Sequence, residues 1–274
     1  MERVNEALRS AGIDDAEREA FWLVETATGL DRNQILSARP AVDAHQVRRA
    51  EELAGRRAAG EPLQYITGLA GFRKLELAVG PGVLIPRPET EVVAEKAMSR
   101  LPPGGTLVDV GTGSGAIALA VAQERPDARV VATDSSRDAL RWAHENSKRL
   151  ALEVNLVECD LLDGLEENLR KHIDVVVSNP PYVAEGERAT LPSEVVDHEP
   201  HAALFAGPGG FDVIRRLAHV AREWLRPGGW LVVETAGDRG APVAEVLRSL
   251  GYSKVAITRD LAGLERIAEG RAHG

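Results

Sequence analysis

A chain of 274 residues is long enough for two domains, and 44% apolar with 27% charged residues is the balance of a globular protein. A net charge of −9 argues against broad nucleic-acid binding, which needs a basic surface to displace counterions. No run approaches the roughly 18 apolar residues of a membrane span, and the opening MERVNEALRSAG lacks the apolar centre of a signal peptide.

The single cysteine, Cys159, cannot close an internal disulfide, so the chain is expected to be cytoplasmic. Cys159 itself reads as a small buried apolar side chain. The negative charge is concentrated after residue 75, with a nearly neutral segment before it. That unevenness suggests two units with different tasks.

Residues 1–60 read as helical. Apolar side chains recur at helical spacing in Val4, Leu8 and Ile13, in Ala20, Phe21 and Val24, and in Val47, Ala50, Leu53 and Ala54. Asp14-Asp15 and Asp43 stand where helix starts favour short acidic residues. The pattern breaks at Glu61-Pro62. From Gly71 to Pro88 the chain reads as extended, with Phe72, Leu75, Leu77 and Val79 in alternation and a Gly80-Pro81-Gly82 turn. These breaks divide the chain into a helical domain over 1–70, a hairpin connector over 71–88, and a catalytic domain over 89–274.

From Thr106 short Val-rich strands alternate with helices. Strands are predicted at 107–110, 129–133, 154–157, 173–177 and 230–233, with a closing hairpin at 254–258 and 264–268. A helix is predicted to begin near Ser114. This alternation predicts an α/β fold, a doubly wound, mostly parallel seven-stranded Rossmann-like sheet behind a small helical N-terminal domain. Right-handed crossovers would gather the loops after the strand ends along one edge, where ligands bind.

The first loop there is Asp109-Val110-Gly111-Thr112-Gly113-Ser114-Gly115. Its glycines let the backbone pass close under a ligand, and the helix start offers free N–H groups. Asp134 ends the next strand, about 20 residues on, placed to accept from both ribose hydroxyls of a nucleoside. The G-x-G-x-G spacing favours S-adenosylmethionine, which has no pyrophosphate to cradle, over a dinucleotide. Asp160 and Leu161 end the third strand. Asp160 could take the adenine amine or cap a helix, and Leu161 could cover a ring face.

Ser178-Asn179-Pro180-Pro181-Tyr182 ends the fourth strand. Two prolines remove two N–H donors, so the loop offers acceptors with few competing donors. The Asn179 side-chain oxygen and the Pro180 carbonyl can each take one hydrogen of a planar NH₂, and Tyr182 offers a flat face. An amide or an adenine amine would both satisfy this loop. The acidic second half and the lack of a basic recognition region favour the amide. A cofactor-binding protein without catalysis would not need such a loop. The seven histidines are scattered, and no metal is expected.

Together these segments, with Glu61–Gly68, Leu84–Glu91, Glu199-Pro200, Ala203-Leu204 and Asp260–Gly263, resemble the HemK-type peptide chain release factor N(5)-glutamine methyltransferases over nearly the whole chain. The resemblance implies methylation of the glutamine in the GGQ loop of peptide chain release factors. It implies no direct nucleic-acid or membrane partner, and a helical domain that helps hold the release factor. By position it implies that Gly111, Thr112, Gly113, Ser114, Gly115, Asp134, Leu161 and Asn179 touch S-adenosylmethionine. Likewise Asn179, Pro180, Pro181 and Tyr182 would hold the glutamine, with Asn179, Pro180 and Tyr182 catalytic. Relatives often carry an aromatic residue where Leu161 stands, and Glu234-Thr235-Ala236-Gly237 departs from a usual Glu-His-Gly. Phe72, Arg87 and Glu89 would shape the pocket mouth, or Arg87 would be an ion-pair partner. Arg48, Arg49, Arg56 and Arg57 form either a solvated face or a docking patch for an acidic protein.

Overall fold

The computed structural model describes residues 1–37, 41–237, 239–260 and 262–273, so Leu261 of the late Asp–Leu–Ala–Gly run lies outside the described residues. The chain forms two compact units. One comprises Met1–Leu69 with Pro192–His198, and the other Ala70–Leu191 with Glu199–Gly274.

The first unit opens with helices α1 (Glu2–Ser10), α2 (Ala16–Thr28), α3 (Arg32–Ser37) and α4 (Ala44–Ala58). Val4, Leu8, Ala20, Leu23, Leu53 and Ala54 fill its core, the faces read from the helical period. Asp43 caps α4, accepting from the His45 and Gln46 N–H groups at 2.8 Å, while Gln46 returns a bond to the Asp43 N–H. Asp15 precedes α2 without a capping bond, because its carboxylate pairs with Arg18.

A fifth helix, α5 (Leu63–Thr67), follows the break at Pro62 and stops at left-handed Gly68. Five residues are too few for periodicity to reveal. The basic patch also divides. Arg56 pairs with Glu61, and Arg57, buried, pairs with Glu19 and with Glu194 of the 192–198 segment. Arg48 and Arg49 are exposed.

In the second unit β1 (Leu69–Phe72) and β2 (Leu75–Ala78) pair across a two-residue turn, where Arg73 has a φ of 52°. Helix α6 (Pro88–Arg100) starts on a proline, whose missing N–H costs nothing at a helix start. Then come β3 (Thr106–Val110), α7 (Ala116–Glu124), β4 (Arg129–Asp134), α8 (Arg137–Leu150), β5 (Asn155–Glu158) and β6 (Ile173–Ser178). After α9 (Ser193–His198), which belongs to the first unit, the second unit continues with α10 (His201–Leu204), α11 (Asp212–Trp224), β7 (Leu225–Glu234), α12 (Gly240–Ser249), β8 (Ser253–Arg259) and β9 (Glu265–Arg271).

Seven strands form one sheet in the order β5-β4-β3-β6-β7-β9-β8; β9 is antiparallel to both of its neighbours, and every other pairing is parallel. This is the doubly wound fold expected. Alternate residues feed opposite cores, as the period of two requires. Val108, Val131, Val176, Leu231 and Val233 meet α11 and α12 on one face; Leu107, Ala132, Val175, Val177 and Val232 meet α6 and α7 on the other. Burial on both faces is why these strands are nearly continuous in Val, Ile and Leu.

Helix α7 begins at Ala116, two residues later than the sequence reading. Gly113 and Gly115 have φ values of 58° and 85°, and a right-handed helix cannot include them. The chain winds outward from β3 to β5 and returns to β6 on the other side of β3. That reversal opens a crevice beyond the carboxyl ends of β3, β4 and β6.

Candidate active site

A cavity of about 300 Å³ occupies this crevice. Val110, Asp134 and Ser178, the last residues of β3, β4 and β6, reach it, and Gly82–Leu84, Pro86, Arg87, Pro200, Ala202 and Ala203 supply further wall. Most of the residues singled out from the sequence meet here: Gly111, Thr112, Gly113, Ser114, Asp134, Leu161, Asn179, Pro180 and Pro181.

The glycine turn is held from below. The N–H groups of Gly111 and Thr112 both donate to the Thr133 carbonyl, at 2.8 and 3.0 Å. A Cβ on Gly111 would meet nothing within 4 Å, so the backbone there faces open space. Gly115 does not line the cavity. A Cβ there would come within 2.9 Å of Leu119 and 3.4 Å of Ala143, so its requirement is packing and a left-handed φ.

Asp134 accepts from the Gly113 N–H at 2.9 Å and the Ser136 N–H at 2.8 Å. Burial raises its carboxyl pKa, and these backbone bonds oppose the rise. Asn146, fully buried, clamps the other side. Its Nδ2 donates to the Ser114 and Ala78 carbonyls at 3.0 and 2.9 Å, and its Oδ1 accepts from the Ala78 N–H.

Asp109, in β3, was legible as part of the motif but not as a site residue. It is 1% exposed. Its Oδ2 accepts from Thr112 Oγ1 at 2.6 Å and from the Ala118 N–H at 3.2 Å, whereas Oδ1 has no partner. Burial pushes this carboxyl up to about 7, against those two bonds, with the Asp134 charge adding to the rise. A buried acceptor left open on a cavity wall calls for a donor from a ligand.

Leu161 lines the cavity in the left-handed region, φ 53°, with its carbonyl accepting from Thr133 Oγ1 at 2.7 Å. Asp160 caps no helix. It is exposed and pairs with Arg216, also on the wall. Cys159 is half-buried and its thiol pKa is raised by burial, which keeps it protonated.

In the loop after β6, Asn179 Nδ2 donates to Thr90 Oγ1 at 3.0 Å, leaving Oδ1 as the free polar atom. Thr90, in the first turn of α6, belongs to the Leu84–Glu91 run and was not singled out by its chemistry. Tyr182 does not line the cavity. Its ring packs against the α11–α12 core, its hydroxyl lies 3.4 Å from Glu234 Oε1, and Arg239 binds its carbonyl. Burial and the neighbouring Glu234 charge raise the Tyr182 pKa.

Arg87 is both wall and ion-pair partner. It binds Glu199, whose other oxygen accepts the Ile85 N–H at 3.2 Å. Phe72 is a core residue 1% exposed, and Glu89 sits 3.6 Å from Arg266; neither lines the cavity. Among the described residues no group of three or more His, Cys, Asp or Glu is placed to hold a metal, and no helix is long and apolar enough to cross a membrane.

Residues 1–68 match the PrmC N-terminal domain and residues 89–204 the methyltransferase small domain. The release factor glutamine methyltransferase of Geobacter sulfurreducens is 37% identical over 265 residues, covering 96% of this chain and 92% of that protein. The protein of the same name from Streptomyces coelicolor is 41% identical over 276 residues, covering 98% and 95%. Among solved structures, a methyltransferase from Pyrococcus furiosus shares the fold, with a TM-score of 0.55, 21% identity, and coverage of 83% of this chain and 99% of that one. The chain belongs to the release factor glutamine methyltransferase family.

Proposed function

We propose that this chain transfers a methyl group from S-adenosylmethionine to the side-chain amide nitrogen of the glutamine in the GGQ loop of peptide chain release factors. The carrying observation is Asn179. Its NH₂ end is tied to Thr90, so its oxygen and the Pro180 carbonyl form a pair of acceptors on a wall where two prolines offer no N–H.

The donor set fits S-adenosylmethionine. The partnerless Asp109 Oδ1 suits an ammonium donor, and the open backbone at Gly111 leaves room for a ligand chain. Asp134 retains lone pairs for ribose hydroxyls, and Leu161 offers an apolar face to the adenine. Thr112, Gly113 and Ser114 would complete the cradle. Gly115 supports it by packing. The bound cofactor supplies an electrophilic methyl on a sulfonium sulfur.

An amide nitrogen is a weak nucleophile, because its lone pair is delocalised into the carbonyl. Asn179 and Pro180 accept its two hydrogens, fixing the nitrogen plane and holding its lone pair toward the incoming carbon. Positioning of this kind supplies much of the rate where no strong base acts. Pro181 stiffens the loop, and Tyr182 buttresses it from behind through Glu234. The proton of the methylated nitrogen leaves to water. The 1–70 domain, with apolar Trp22 and Leu36 at its surface, holds the protein substrate. A cytoplasmic setting goes with a partner that acts in translation.

The test is methyl transfer from labelled cofactor to purified release factor, with the labelled residue located by mass spectrometry. Label is expected on the loop glutamine. Replacing that glutamine with asparagine draws the nitrogen back by about an ångström and should cost on the order of 10²-fold in rate. Replacing it with glutamate sets acceptor against acceptor and should abolish transfer. Label on an adenine oligonucleotide, with none on the protein, would overturn the reading.

A further inference from the structure

Pro180 and Pro181 have no N–H, so the peptide that carries the Pro180 carbonyl is fixed from its flanks. Upstream, Ser178 Oγ donates to the Val110 carbonyl at 2.7 Å and Asn179 Nδ2 to Thr90 Oγ1 at 3.0 Å. Downstream, Val183 bridges to the chain at Phe205. Its N–H donates to the Leu204 carbonyl at 3.0 Å, and its carbonyl accepts from the Ala206 N–H at 2.9 Å. Between the prolines and that bridge stands Tyr182, whose carbonyl accepts from Arg239.

Arg239 stands just before α12, 57 residues after Tyr182. Its Nη1 donates to the Tyr182 carbonyl, its Nη2 pairs with Glu187 Oε1, and its guanidinium carbon lies 5.5 Å from the centre of the Phe211 ring. Glu187 is itself oriented, since its Oε2 accepts from the Ala184 N–H at 3.1 Å. Gly210, with a φ of 72°, closes the other side. A Cβ there would overlap both Arg239 Nη1 and the Tyr182 carbonyl oxygen, so the approach needs a residue without a side chain. An arginine serving only as surface charge would need neither the glycine nor the oriented carboxylate, and this one is 14% exposed. Its planar fork makes the bond to Tyr182 directional, which a lysine ammonium does not.

We propose that Arg239, aimed by Glu187 and admitted by Gly210, is a positioning residue for the transfer. It fixes the downstream end of the Asn-Pro-Pro-Tyr loop and with it the direction of the Pro180 carbonyl. The proposal rests on the reading that Asn179 and Pro180 hold a planar NH₂, and it extends that reading to reach. Two acceptors measure the length of a side chain only if neither swings. Arg239 therefore contributes to the preference for glutamine over the shorter asparagine.

Arg239→Ala, Arg239→Lys and Glu187→Ala are made in the full chain and compared with the native protein. The substrates are release factor with its loop glutamine and release factor with asparagine in its place. Arg239→Ala is expected to lower kcat on glutamine roughly 10- to 100-fold. Cofactor affinity and the KM for release factor should stay within about threefold. The glutamine-to-asparagine rate ratio, about 10² for the native enzyme, should shrink to about 10 or less. Arg239→Lys, with a point charge in place of the fork, should fall between the two. Glu187 is 44% exposed, so Glu187→Ala keeps the fold and should show the same changes at about three- to tenfold in kcat.

A readout independent of turnover is backbone hydrogen exchange at Val183, whose N–H bonds to Leu204. It should quicken by about tenfold or more in Arg239→Ala, while β3 and β4 exchange as in the native protein.

A loss of kcat that leaves the glutamine-to-asparagine ratio native would overturn the proposal, because a variant that is only less folded slows both substrates alike. Native exchange at Val183 in Arg239→Ala would overturn it as well. A native protein that labels no glutamine would refute the substrate reading alone, and the Val183 exchange would still decide whether Arg239 holds the loop.

Discussion

Asp134 accepts the Gly113 N–H at 2.9 Å, so one carboxylate both fixes the glycine turn and faces the cavity that the turn lines. Asp134→Ala removes the acceptor proposed for the ribose hydroxyls and leaves the Gly113 and Ser136 N–H groups without their partner. Cofactor affinity should fall by roughly 1.5–3 kcal/mol, about 10- to 150-fold, with a smaller loss of stability of about 1 kcal/mol. Calorimetric titration and thermal unfolding check the two parts separately, and unchanged affinity would rule out the ribose role.

Asp109 predicts a pH signature. Its folded carboxyl titrates near 7, far above an unfolded aspartate, so the folded state binds the extra proton. The contribution to stability is complete below about pH 4 and is lost as pH rises through about 7. Asp109→Asn, which cannot ionise, should therefore unfold at a higher temperature than the native protein at pH 8 and lose that advantage progressively as pH falls to about 4. The same substitution should weaken S-adenosylmethionine binding, because an NH₂ replaces the open Oδ1. Native affinity should fall as pH drops below about 7, and the variant should show no such trend. A flat native profile would show that Asp109 stays neutral when ligand binds.

Asn146 joins the glycine turn to the end of β2 with three hydrogen bonds, far from any proposed contact with substrate. Asn146→Ala leaves the half-buried Ala78 and the buried Ser114 backbone groups without their partner, at a cost of roughly 2–4 kcal/mol. For a chain of this size the melting temperature should fall by about 5–15 °C. Cofactor affinity should fall with it, since Ser114 loses its anchor. Unfolding at the native temperature would show that water replaces the lost amide.

Arg48 and Arg49 remain as the exposed basic pair on α4, since Arg56 and Arg57 are engaged by carboxylates. If they meet an acidic surface of the release factor, Arg48→Glu with Arg49→Glu should raise its KM by roughly three- to tenfold. The KM for a short glutamine peptide should be unchanged. An equal effect on both substrates would return the pair to ordinary solvated surface.

The sequence by itself determined the sheet and placed the glycine turn, Asp134, Leu161 and the Asn-Pro-Pro loop at the edge where the cavity opens. Val-rich runs of a few residues read as strands because both faces of a parallel sheet are buried, and the Asn-Pro-Pro loop read as an acceptor site because proline has no N–H to offer. Those features are local. Tertiary structure decided what depends on residues far apart in the chain. Tyr182 looked like part of the pocket, but Glu234, 52 residues on, turns its hydroxyl away from the cavity. Thr90 looked like one letter of a helix start, but it lies 3.0 Å from Asn179, 89 residues later. Arg57 looked like a surface charge and is buried between Glu19 and Glu194. In each case the side chain's partner is set by which strand ends the crossovers bring together, and no local pattern of hydrophobicity encodes that meeting.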